Sequence, residues 1–173
     1  MKVAELFKQY LEHLFAGKRA AARELILAAQ DRGEPSAKLL KRIIWPAMDQ
    51  IDKLYRAHRI STAVEHMATR INRMVADQLQ GLLARRPKNG RRMLVVCGEG
   101  ESHELGAQIL ADLFEGRGWS VWFVGAGVPD DEVLQLVGKL KLDVLTLYGT
   151  RPEGVPHVRR MIATIREIGV CDD

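Results

Sequence analysis

The stretch MLVVCGEGESHELGAQILADLF, residues 93–114, contains a complete change of structural period. Met93 to Cys97 is an apolar run of strand length, whereas from Glu104 to Phe114 the apolar residues fall at helical spacing. Between them, GEGESHELG (98–106) places Glu101, Ser102, His103, Glu104 and Gly106 where a strand turns into a helix. In open α/β sheets that is where ligands bind, beyond the carboxyl ends of the strands.

Reading outward from this stretch, the same alternation continues downstream. Val121–Val124 and Asp143–Leu147 are further strand candidates, and helical patterns occupy 104–116, 130–141 and 155–168. Strands alternating with helices predict a parallel sheet with right-handed crossovers. Gly169 to Asp173 then reads as the approach to a fourth strand, so the sheet is expected to be truncated after its third: either the sequence is a fragment or the sheet edge is covered by something else.

Upstream lies RRPKNGRR, residues 85–92, in which Pro87, Asn89 and Gly90 punctuate five cations. Proline and glycine at this density predict a linker. Before it every segment reads as helix. Leu6, Phe7, Tyr10, Leu11, Leu14 and Phe15 form one apolar stripe that ends at Gly17, and residues 18–32 form a second helix ending at Gly33. Ser36 is the expected N-cap of a third, which Pro46 must kink or restart. Ser61 caps a fourth, with Val64, Met67, Ile71, Val75 and Leu79 on one face. The expected organisation is a four-helix bundle over 1–84, a linker at 85–92 and an α/β domain over 93–173 that is C-terminally incomplete.

Composition narrows the class. The 173 residues are 47% hydrophobic, enough for two small cores, which excludes global disorder. Cys97 and Cys171 are too few for a disulfide framework, and no export signal or membrane-length apolar run is present, so a cytoplasmic protein without membrane association is expected. Residues 1–90 carry 17 basic and 9 acidic side chains, and residues 91–173 carry 9 and 13, an asymmetry that fits two domains. Direct nucleic-acid binding is not expected, because the basic run has no interleaved aromatic residues.

The strand-to-helix loop excludes some chemistry. It lacks the GxxxxGK[ST] of a phosphate loop, and histidine at 103 breaks GxGxxG. No base and acid are singled out beside Ser102 for nucleophilic catalysis. A loop histidine with a carboxylate two residues earlier suits a metal ligand whose second ring nitrogen is held by that carboxylate, although taken alone a loop histidine is more often an ordinary surface residue.

Glu101-Ser102-His103-Glu104-Leu105-Gly106 resembles the D/E-x-H-x-x-G signature of cobalamin-binding domains, in which the histidine is the lower cobalt ligand. Its glutamate form is similar to that of the light-sensing, adenosylcobalamin-dependent repressors. Leu6 to Leu82 resembles the four-helix cap of those sensors and of corrinoid methyl carriers. The sensors have a tryptophan, nine intervening residues and Glu-His; here Tyr55, nine residues and Glu65-His66 stand in that pattern, with His58 where a glycine is usual. Tyr148-Gly149-Thr150 stands where the family has the Ser-x-Leu that contacts the nucleotide tail.

The resemblance implies a four-helix bundle followed by a Rossmann-like, flavodoxin-like parallel sheet. It implies cobalamin, as adenosylcobalamin or methylcobalamin, held from below by His103 with Glu101 behind it and capped from above by the bundle. The implied site comprises Tyr55, Glu65, His66, Glu101, Ser102, His103, Gly106, Tyr148, Gly149 and Thr150, with His66 a candidate upper ligand. The expected role is a sensor or regulatory module, a binding protein more than an enzyme, with a regulator or methyltransferase as protein partner and scope for homo-oligomers. The alternatives are a corrinoid methyl carrier, or a degenerate member that binds another tetrapyrrole or no cofactor.

Overall fold

The computed structural model describes residues 2–98, 101 and 103–169, and the chain divides into two compact units, Met1–Ala84 and Arg85–Asp173. The first is helical throughout. Helix α1 (Val3–Phe15) ends where Gly17 takes φ +64°, letting the Lys18 amide donate back to the His13 carbonyl and the Gly17 amide to Leu14. Glycine reverses the chain there without the steric cost of a side chain. Helix α2 (Arg19–Asp31) follows and packs Ala22, Ile26 and Ala29 inward.

The third segment departs from the expectation at its start. Pro35, in extended conformation, occupies the cap position of α3 (Ser36–Leu39), and Ser36 is buried with its hydroxyl donating to the Leu82 carbonyl at 3.2 Å. A hydroxyl shut off from water must find an acceptor, and carbonyls at a helix end are available. The predicted break at Pro46 takes the form of a π turn over Leu40–Ile44, in which the Trp45 amide bonds to Leu40. Helix α4 (Trp45–Arg56) then continues past the missing proline donor. Helix α5 (Thr62–Gly81) begins as read, the Ser61 hydroxyl accepting from the Val64 amide.

Leu14, Ile26, Leu40, Ile44, Val75 and Leu79 are fully or almost fully buried between these helices. One polar thread crosses this core: the Tyr10 hydroxyl donates to Asn72 Oδ1 at 3.0 Å, and Asn72 Nδ2 donates to the Ile44 carbonyl at 3.1 Å. Every step of the thread is paired, so it fixes the register of α1, α5 and the π turn.

The second unit alternates β1 (Arg92–Cys97), α6 (Leu105–Glu115), β2 (Ser120–Gly125), α7 (Asp130–Leu140), β3 (Val144–Tyr148) and α8 (Val155–Glu167). All strand pairs are parallel, and the order is β2-β1-β3. Met93, Val95 and Cys97 pack on Ala107 and Ala111 of α6; Leu94 and Val96 pack on Val133, Val137, Met161 and Ile165 of α7 and α8. Burial on both faces is why the central strand reads as a continuous apolar run. Among the described residues the sheet has three strands. The stretch read as a linker is fastened to the turn between α6 and β2: the Arg86 amide donates to Gly116, the Asn89 amide to Gly118, and Lys88 Nζ to Trp119. Arg92 is already the first residue of β1.

Candidate functional site

Three parallel strands bring their carboxyl ends to one edge of the second unit. With β1 central, the chain leaves for β2 on one side and returns to β3 on the other, so the loops after β1 and β3 flank the point where strand order reverses. The ladder runs one step beyond Cys97, where the Gly98 amide donates to the Tyr148 carbonyl at 2.8 Å. The Glu101 amide then turns back to the Gly98 carbonyl.

Glu101 organises this edge. Its Oε1 accepts from the His103 amide at 2.7 Å and lies 3.3 Å from His103 Nδ1; its Oε2 accepts from the Thr150 amide at 2.6 Å and the Thr150 hydroxyl at 2.8 Å. The residue is only 7% exposed. Burial alone would push its carboxyl up. The bonds from Thr150 and His103, with the charge of the His103 ring, outweigh that and hold it below the ordinary carboxylate range. A proton on Nδ1 facing this carboxylate leaves Nε2 as the nitrogen with the ligating lone pair.

Glu104 occupies the cap position of α6 and accepts from the Ala126 amide at 2.7 Å. That contact needs Gly125, whose φ is +79° and where a Cβ would stand 3.0 Å from Glu104 Oε1. The loop carrying His103 is therefore tied to β3 through Glu101 and to β2 through Glu104. Gly106 is buried in the first turn of α6. Ser102 lies outside the described residues.

Tyr148 packs against the face formed by Met93, Val95 and Cys97, and a Cβ on Gly149 would meet nothing within 4 Å. Thr150 donates to Glu101 from both its amide and its hydroxyl. A cleft of about 590 Å³ opens here, bounded by Gly98, Glu101, Gly149, Arg151, His157 and Arg160. His157 Nε2 stands 2.9 Å from both carboxylate oxygens of Asp130, joining the starts of α7 and α8. Arg151, Arg160, His157 and Glu104 were not among the residues assigned to the site from the sequence; for Glu104 an acidic residue at a helix start was the available signal.

In the first unit, Tyr55 is 39% exposed with its hydroxyl 3.4 Å from Thr62 Oγ1. Glu65 accepts from the Thr69 hydroxyl at 3.1 Å and lies 3.5 Å from His66 Nε2. His66 is well exposed and borders a groove of about 900 Å³ with Arg19, Met67, Arg70 and Met74. The structure thus groups Tyr55 and Thr62, and Glu65 and His66, within one unit, and Glu101, His103 and Thr150 within the other.

Comparison with known proteins accounts for nearly the whole chain. Residues 6–80 match a family model described as a B12 binding domain, and residues 91–170 match a second model of the same description. The full chain is 19% identical to dimethylamine corrinoid protein 1 of Methanosarcina acetivorans, covering 82% of that protein. Over 93 residues, 54% of the chain, it is 30% identical to the HTH-type transcriptional repressor CarA of Myxococcus xanthus, covering 32% of that protein. Its fold matches the monomethylamine corrinoid protein of Methanosarcina barkeri with a TM-score of 0.86 at 16% identity, over 98% of this chain and 81% of that one. It also matches the methanol:cobalamin methyltransferase complex of M. barkeri with a TM-score of 0.53 at 22% identity, over 95% and 64%.

Proposed function

We propose that this chain, which belongs to the B12-binding domain proteins and takes cobalamin as its cofactor, ligates the cobalt through His103, with Glu101 and Thr150 holding the imidazole. The observation that carries this reading is the two-armed grip of Glu101, one oxygen on His103 and the other on Thr150. An imidazole held through Nδ1 by a buried carboxylate offers a metal its other ring nitrogen. Among the described residues no group of three or more His, Cys, Asp and Glu side chains could hold a metal ion. A single presented histidine suits a metal whose remaining ligands come with its macrocycle.

When bound, cobalamin supplies a cobalt centre able to take up and hand on a methyl group. The chain's own residues orient and tune. His103 would hold the cobalt, Glu101 would accept a hydrogen bond from its Nδ1–H, and Thr150 keeps the carboxylate ionised and fixed. The methyl-carrier reading is supported by the span of the likeness, since the corrinoid proteins match the chain almost from end to end and the repressor matches about half of it. It calls for a methyltransferase as protein partner.

A second reading, a cobalamin-dependent sensor, draws support from the grouping of Tyr55 with Thr62 and of Glu65 with His66 at the start of α5. Absorption spectra of the protein with methylcobalamin and with adenosylcobalamin, before and after green light, test both. His103→Ala should abolish the spectrum of histidine-ligated cobalamin; an unchanged spectrum would falsify the ligand assignment. Methyl transfer unaffected by light favours the carrier, and a light-driven change of assembly state favours the sensor.

A further inference from the structure

In the helical unit, α1, α2 and the α3–π segment enclose a pocket of about 250 Å³ that the proposed cobalamin chemistry does not use. Leu6, Leu39 and Ile43 line it, each nearly fully buried, while Arg32, Lys38 and Arg42 stand around them. Lys38 is neutralised by Glu34 at 2.7 Å, and no side chain among the described residues pairs with Arg32 or Arg42. The π turn supplies Arg42 and Ile43, and α1, the end of α2 and α3 supply Leu6, Arg32 and Leu39. π turns within helices are frequently found at functional sites.

Two unpaired guanidinium groups over an aliphatic surface select one class of ligand. The charge favours a carboxylate, which a guanidinium binds through paired N–H groups, and the lining favours an unbranched hydrocarbon tail. At roughly 30 Å³ per water-sized group the pocket has room for about eight such groups, the size of a carboxylate carrying five carbons. We infer that this pocket binds a small amphiphilic carboxylate, with Arg32 and Arg42 on its head group and Leu6, Leu39 and Ile43 against its tail.

Hexanoate is the probe, 1-hexanol its neutral counterpart, and the full chain without cobalamin the receptor, so the result is independent of the cofactor assignment. Nuclear magnetic resonance titration should give saturable binding of one hexanoate, with shifts centred on residues 29–43. The double variant Arg32→Gln, Arg42→Gln changes only exposed side chains and should fold as the parent by circular dichroism, yet bind hexanoate about tenfold more weakly or worse. Hexanol should bind both proteins equally weakly. Absence of saturable hexanoate binding, or hexanol binding as tightly as hexanoate, or identical hexanoate affinity in parent and double variant, overturns the inference.

Discussion

Thr150 donates twice to a single oxygen of Glu101, from its amide at 2.6 Å and from its hydroxyl at 2.8 Å, and so frees the other oxygen for His103. Residues 49 positions apart meet because β1 and β3 are neighbours and their ends face the same edge. A carboxylate supported on both oxygens can neither rotate away from the imidazole nor take up a proton readily.

The grip can be dismantled one bond at a time. Glu101→Gln presents an amide to donors that need a carboxylate, and it should weaken cobalamin binding about 10- to 100-fold, as loss of a metal ligand's supporting partner does. Thr150→Val removes one bond and keeps the amide, so its loss should be smaller. Titration of all three proteins with hydroxocobalamin ranks them; affinity unchanged in Glu101→Gln would remove Glu101 from the site.

Acid should act through the same residue. Because the folded protein holds the Glu101 carboxyl below its ordinary range, the carboxylate stabilises the fold fully above the unfolded value of about 4.3 and loses that contribution as pH falls through the folded value. Denaturation midpoints of the cofactor-free protein should therefore decline more steeply below that pH than those of Glu101→Gln. Parallel declines would count against a carboxylate held below its ordinary range.

His58 stands at φ +53° after the end of α4, its amide donating to Tyr55 and the following amide to Leu54. That is the reversal Gly17 makes after α1, performed by a residue with a side chain. His58→Gly should stabilise the helical unit by about 0.5–1 kcal/mol, relief of the left-handed strain being partly offset by the freer unfolded chain. Chemical denaturation reads this directly, and a destabilised variant would mean the imidazole makes a contribution greater than its backbone cost.

Where periodicity was strong, the sequence was an adequate guide. β1 could be read because burial on both faces demands an apolar run, and α1 because Leu6, Tyr10 and Leu14 recur on one stripe ahead of a glycine. Ser36 misled because serine before a helix usually caps it, and only the folded chain brings Leu82 to its hydroxyl. Pro46 announced a disturbance without its kind: it takes the form of a π turn, and the Ile44 carbonyl at the end of that turn accepts from Asn72, a partner 28 residues on. In the site, the local pair Glu101 and His103 was legible, and Thr150 as its support was not, since nothing in a linear motif says which strand ends will be neighbours.

The central position of β1 also has a history in time. Its apolar run is made before either neighbour exists, and Tyr148, opposite Cys97, follows 51 residues later. At roughly 5–20 residues per second that is an interval of about 3–10 s during synthesis, through which a strand built for burial on both faces has at best one partner. The helical unit, whose packing partners are already synthesised, can fold meanwhile. Chains arrested between β1 and β2 should then show protease resistance in residues 1–84 together with a sticky, hydrophobic-dye-binding tail; arrested chains that are digested throughout would show instead that the first unit waits for the second.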